Sequence, residues 1–147
     1  MPTDPFIADY TLWVFFSALG VLQFAAARSG LAGLLFLRRW PRVTSYAGAA
    51  AVVAAFAWFF GSEVRNLPDT VSGLDGVTQS FWFAVGAGGA VAVTFLGTSA
   101  LNHGWGAGYR WDPSTQLWPP PGFDLLERTT FARALWAVIS ALRLRHR

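Results

Sequence analysis

Hydrophobic residues in this chain fall in long unbroken blocks, not in the alternating or three-to-four-residue rhythms of half-buried elements. Tyr10 to Ala27 (YTLWVFFSALGVLQFAAA) is eighteen residues without a charge, Val43 to Gly61 nineteen and Ser80 to Leu101 twenty-two. At 1.5 Å per residue the shortest of these covers about 27 Å as a helix, close to the hydrocarbon thickness of a bilayer. A spanning segment must satisfy its own backbone donors and acceptors, and none of the three blocks shows the two-residue alternation of a barrel strand. The pattern therefore predicts an all-α integral membrane protein with three transmembrane helices, at about 10–27, 43–61 and 80–101.

Shorter segments fill the spaces between. SGLAGLLFL, 29–37, is apolar but too short to cross, and is expected to lengthen the first span or lie at the membrane interface. NHGWGAGYRWDPSTQLWPPPGF, 102–123, holds Trp105, Trp111 and Trp118 among four prolines and four glycines, and reads as a loop with extended character at Pro119 to Pro121. Beyond it, Asp124 with Glu127 three residues later resembles a capping box, which predicts a helix from Leu125 to about Leu144. In that helix Phe131, Leu135, Val138, Ile139 and Leu142 recur at helical spacing, with Trp136 beside them. Arg133, Arg143, Arg145 and Arg147 supply the charge, so the helix is basic and amphipathic. Its uncharged stretch, ALWAVISAL, would extend only about 14 Å and cannot cross. The chain thus divides into a membrane domain (1–101), a Trp/Pro/Gly-rich loop (102–123) and a basic amphipathic helix (124–147).

Charge adds direction to this picture. All eleven basic residues are arginine, against eight carboxylates, for a net charge of +3. Arg28, Arg38, Arg39 and Arg42 lie between the first and second spans. Arg110, Arg128, Arg133, Arg143, Arg145 and Arg147 follow the third, and only Arg65 falls elsewhere. Short arginine-rich loops stay in the cytoplasm, so the N-terminus is expected outside and the C-terminus inside. The tryptophans of the tail and the arginines of the amphipathic helix would then meet the bilayer surface and its anionic headgroups, or else a membrane or cytoplasmic protein. The sequence favours lipid. This placement accounts for the isoelectric point near 10.2 without nucleic acid. The leader MPTDPFIADY has Asp4 and Asp9 and no positive charge, so the first span is expected to be retained and not cleaved as a secretory signal. No lipidation signal is visible. Arginine without lysine suggests a GC-rich bacterial coding bias, hence a bacterial inner membrane.

Candidate chemistry is sparse. Without cysteine, the chain is excluded from thiolate metal sites, iron–sulfur clusters and cysteine nucleophiles. Two distant histidines, His103 and His146, do not make a bis-histidine haem or a zinc pattern, and no cofactor is predicted. His103, Tyr109 and Asp112 are close in sequence, but no spacing rule joins them as acid, base and orienter, and solvation of a turn is the simpler reading. GAGG at 86–89 lies inside the third span and is better read as helix-packing material than as a phosphate cradle.

None of the spans holds a charge. Gln23 is the one strongly polar side chain well inside a span, with Thr94 and Thr98 in the third. A hydrogen bond to a neighbouring helix is the simpler role for Gln23. Small residues recur every fourth position: Ala47, Ala51 and Ala55, Ala50 and Ala54, and Gly86, Ala90 and Thr94. Such faces let helix backbones approach, within the chain or in a homo-oligomer. The size invites comparison with the small multidrug transporters, but those have four spans and an intramembrane glutamate, and this chain has neither. The sequence therefore favours a non-catalytic accessory, anchoring or assembly protein. An oligomeric transporter or channel is the alternative, and an interfacial enzyme comes behind both.

Overall fold

The computed structural model describes residues 5–62, 76–108 and 123–145. The described residues are helical and contain no strand. Three helices, α1 (Pro5–Arg28), α2 (Pro41–Gly61) and α3 (Gly76–Leu101), run up, down and up. Each is long and apolar enough to cross a membrane. All three extend beyond the uncharged blocks, and α2 opens at Pro41, in its first turn, where a missing N–H costs nothing. Phe16, Val53, Phe83 and Leu96 are among the many large apolar side chains that point outward. A water-facing monomer rarely carries so much.

α1 is the central helix. α2 and α3 both pack along it and share almost no contact with each other. The α1–α2 crossing is set by Gly20 and Gly48: a β-carbon on either would lie 2.6 Å from the other's carbonyl oxygen. On the α3 side Gly86 does the same, with a β-carbon there 2.8 Å from the Thr11 oxygen. Backbone approach of this kind supplies close van der Waals contact between the helices.

α1 stops at Arg28 and does not run on through the apolar nonamer. Gly30 takes φ +74°, and the Leu31 N–H donates to the Ala26 carbonyl at 3.0 Å, six residues closing back as in a Schellman cap. The chain then makes a 3₁₀ turn, Ala32–Leu34, that brings Leu34 and Leu35 into a small core with Ala26, Leu125, Leu126 and Ala134.

Two further features depart from the expected pattern. α3 contains one π-helical turn, Val93–Gly97, before its last α turn, Thr98–Leu101. Hydroxyls and an amide follow it in register: Thr98 Oγ1 donates to the Thr94 carbonyl, Ser99 Oγ to Phe95, and Asn102 Nδ2 to Thr98. These donors serve carbonyls of the widened turn and of the α turn that follows it. The C-terminal helix, α4 (Phe131–Arg145), begins six residues later than the capping pattern predicts. Asp124–Glu127 forms a separate 3₁₀ turn without a side-chain cap. Thr129 and Thr130 are almost fully buried between the two, and β-branched residues in that position favour a break over a continuing helix.

Candidate functional site

The two ends of the bundle differ in kind. At the N-terminal end of α1, Phe6, Tyr10, Trp13, Phe59 and Phe60 form an aromatic cluster, with Trp13 and Phe59 stacked at 4.7 Å. Trp82 of α3 packs against its edge. Among the described residues these rings close one end by ring contacts, with the Trp13 indole nitrogen buried without a partner.

At the opposite end, polar groups converge on backbone. Gln23 is buried in α1, and its Nε2 donates to the Leu34 carbonyl at 2.9 Å while its Oε1 accepts the Phe36 N–H at 3.1 Å. Both ends of the amide are thus engaged by the turn that follows α1. Asn102 donates from α3 to the Leu35 carbonyl at 3.0 Å, so the same turn is held from two helices. Gly33 lies against the 124–130 segment so closely that a β-carbon would be 2.2 Å from the Thr129 oxygen.

α4 docks on this assembly. The Phe131 ring meets Phe95 of the π turn edge-on at 4.5 Å, and the Ala132 N–H donates to Ser99 Oγ at 3.2 Å. Arg133 grips the His103 carbonyl with Nη2 at 2.8 Å and Nε at 3.2 Å. Ala134 is buried and Val138 half-buried on the same side, whereas Leu135 and Trp136 are 47% and 65% exposed. Ile139 is half-buried.

Between the last turn of α3 and the 38–39 turn is a cavity of about 420 Å³, walled by Arg38, Arg39, Asn102, His103 and Trp105, with Leu101 at its lip. The Arg38 guanidinium lies 4.8 Å from the centre of the Trp105 ring, a cation–π contact. Arg38 Nε is buried without a hydrogen-bond partner. Among the described residues no carboxylate lines the cavity. His103 Nδ1 is 3.3 Å from the Ala100 carbonyl, a contact that is a hydrogen bond only when that nitrogen carries the proton.

The residues singled out from sequence are distributed unevenly over this frame. Gly86, Ala90 and Thr94 are buried against α1, and so is Ala55 of α2. Ala51 is half-buried, while Ala47, Ala50 and Ala54 are exposed. The buried residues of α2 are Thr44, Ser45, Gly48, Ala55 and Phe59, so the Ala47/Ala51/Ala55 repeat enters the buried face only at its Ala55 end, and Ala50 and Ala54 lie outside it. Thr98 is buried and donates to its own helix, and the Thr94 hydroxyl is buried without a partner. Trp105 is half-buried on Arg38. Tyr109, Trp111, Asp112, Trp118 and Arg147 lie outside the described residues. The backbone of Arg143 and Arg145 belongs to α4. Sequence reasoning missed Arg38 as a site residue. Its only signal was the pair Arg38–Arg39 facing no nearby acid.

Among the described residues no group of three or more His, Asp or Glu is placed to hold a metal ion. No known protein family, curated protein or solved structure matches the chain.

Proposed function

We propose that this chain is a non-catalytic multi-pass membrane protein, N-terminus outside and C-terminus cytoplasmic, that anchors or assembles a partner at the cytoplasmic face of a bacterial inner membrane. Arginine placement supports the orientation: Arg28, Arg38, Arg39, Arg42, Arg128 and Arg133 belong to one end of the bundle. The observation that carries the functional reading is the seating of α4. Phe131, Ala134 and Arg133 pin it to α3 and the 124–130 segment, while Leu135 and Trp136 are left outward on a fixed support. A tail held in this way presents its free apolar and basic surface in one orientation, which suits recruitment to the leaflet surface or to a membrane partner resting on it. In this reading α4 belongs to the basic amphipathic tail, whose sequence supplies Arg133, Arg143, Arg145 and Arg147 as positive charge for headgroups or an acidic partner.

The transporter alternative has no supporting observation of its own. Its main polar candidate, Gln23, has both amide groups occupied by the 34–36 backbone, which makes it a tether.

The test is extraction from the native membrane in a mild detergent, followed by native mass spectrometry. A stoichiometric second protein that is lost on Leu135→Glu/Trp136→Glu substitution is the expected result. A bare chain that supports solute flux in proteoliposomes overturns the reading.

A further inference from the structure

We propose that the cavity beside the last turn of α3 binds the phosphate group of an anionic membrane lipid, with Arg38 and Arg39 as its cationic ligands. The inference rests on the reading of α1, α2 and α3 as membrane spans, and it is independent of what α4 recruits.

Four observations meet at this place. The cavity, about 420 Å³, falls in the range of sites that take a small ligand. Two arginines line it, and among the described residues no carboxylate does. Arg38 is not an arginine simply extended into solvent. Its guanidinium carbon lies 4.8 Å from the centre of the Trp105 ring, a cation–π contact that restrains it, and its Nε is buried with no acceptor. The Arg38 and Arg39 guanidinium groups line the cavity, and a phosphate oxygen is an acceptor that matches a guanidinium fork. Arg133, bonded to the His103 carbonyl on the cavity wall, adds a third positive charge close by.

The surroundings favour a lipid over a soluble phosphate. Leu101 at the lip, with Leu37 and Trp40 nearby in the chain, is strongly exposed, at 67%, 45% and 62% respectively. An apolar margin next to a basic cavity, at the end of membrane-length helices, places acyl chains and headgroup on adjacent surfaces. Basic pockets between helices at a membrane surface take acidic headgroups for this reason.

The experiment begins with alkaline carbonate treatment of membranes. A chain released at that step does not span, and the membrane reading fails before the site is at issue. The retained protein, purified and stripped of lipid in detergent, is titrated with phosphatidylglycerol, phosphatidylcholine and inorganic phosphate, with bound species counted by native mass spectrometry. One phosphatidylglycerol is expected to bind in preference to phosphatidylcholine. Arg38→Gln/Arg39→Gln should weaken it about 30-fold, which corresponds to about 1 kcal/mol for each arginine near the surface.

Binding of inorganic phosphate with the same arginine dependence, but no preference for the anionic lipid, keeps the phosphate chemistry and overturns the lipid as its source. Equal phosphatidylglycerol binding by wild type and variant overturns the site. Should the double variant not assemble, Arg39→Gln alone changes one exposed side chain and is expected to show about a fivefold loss. Arg38→Lys/Arg39→Lys, which keeps the charge but not the planar fork, should bind with intermediate affinity.

Discussion

The aromatic end and the arginine end of the bundle close the same three helices by opposite means. At the aromatic end Phe6, Tyr10, Trp13, Phe59 and Phe60 meet ring to ring, and the contacts tolerate small shifts because dispersion and quadrupole terms vary smoothly with position. At the arginine end Gln23 and Asn102 bond backbone groups of the 34–36 turn, and Gly33 lets that turn lie directly on Thr129. Hydrogen bonds and backbone contact are strict in distance and angle. The difference teaches that a bundle can be merely closed at one end and built at the other, and the cavity and the docked helix α4 are both at the built end.

The comparison breaks most severely at Gly33. Its replacement by alanine places a β-carbon 2.2 Å from the Thr129 oxygen and 2.8 Å from that of Leu126. Neither is a flexible side chain, so the turn and the 124–130 segment must separate, at a cost of about 3 kcal/mol or more. Thermal unfolding in detergent and loss of amide protection in α4 are the readouts. Gly88→Ala, with nothing within 4 Å of the added atom, is the matched control and should leave both unchanged.

Gln23→Leu comes next. It leaves the Leu34 carbonyl and the Phe36 N–H without their partner, and about 2–4 kcal/mol should be lost. Hydrogen exchange should rise at Phe36 and stay constant at Phe59, which would locate the damage at one end. A uniform rise would deny that the ends are separable.

Phe59→Leu tests the other side. Trading one stacked ring for an aliphatic side chain should cost about 1 kcal/mol and reduce the near-ultraviolet circular dichroism, with the Phe36 amide still protected. Because the two positions share no partner, Gln23→Leu and Phe59→Leu should add to within about 0.5 kcal/mol in the double variant.

The smallest effect is expected for Arg133→Gln. Its side chain is exposed, so stability should barely move. Proteolysis should nonetheless become faster between residues 128 and 131, because the anchor from α4 to the His103 carbonyl is gone. Unchanged cleavage would show that Phe131 and Ala134 hold α4 unaided.

What was legible in the sequence was what depends on composition over a window. The three long helices and the helical fold class follow from unbroken apolar runs, since a bilayer-length helix satisfies its backbone locally and needs no knowledge of neighbours. The small-residue stripe of α3 could also be read this way, and Gly86 and Ala90 lie on its buried face.

Contacts between distant residues could not. The alanine ladder of α2 looked like a packing face, yet the helix turns Gly48 and not Ala47 or Ala50 toward α1, because Gly20 opposite it leaves room for backbone to touch backbone. Gln23 could be seen as a lone polar residue, but its acceptor and donor, at Leu34 and Phe36, are brought within reach only by the left-handed Gly30 and the reversal after it. Likewise the local signal at Asp124 and Glu127 predicts a helix start, while the burial of Thr129 and Thr130 moves that start to Phe131. Helix propensity and apolar length are sums over neighbouring residues and are written in the chain. The pairing of Gly20 with Gly48, of Gln23 with the turn, and of Arg38 with Trp105 depends on how rigid helices cross, and only the packed structure decides that.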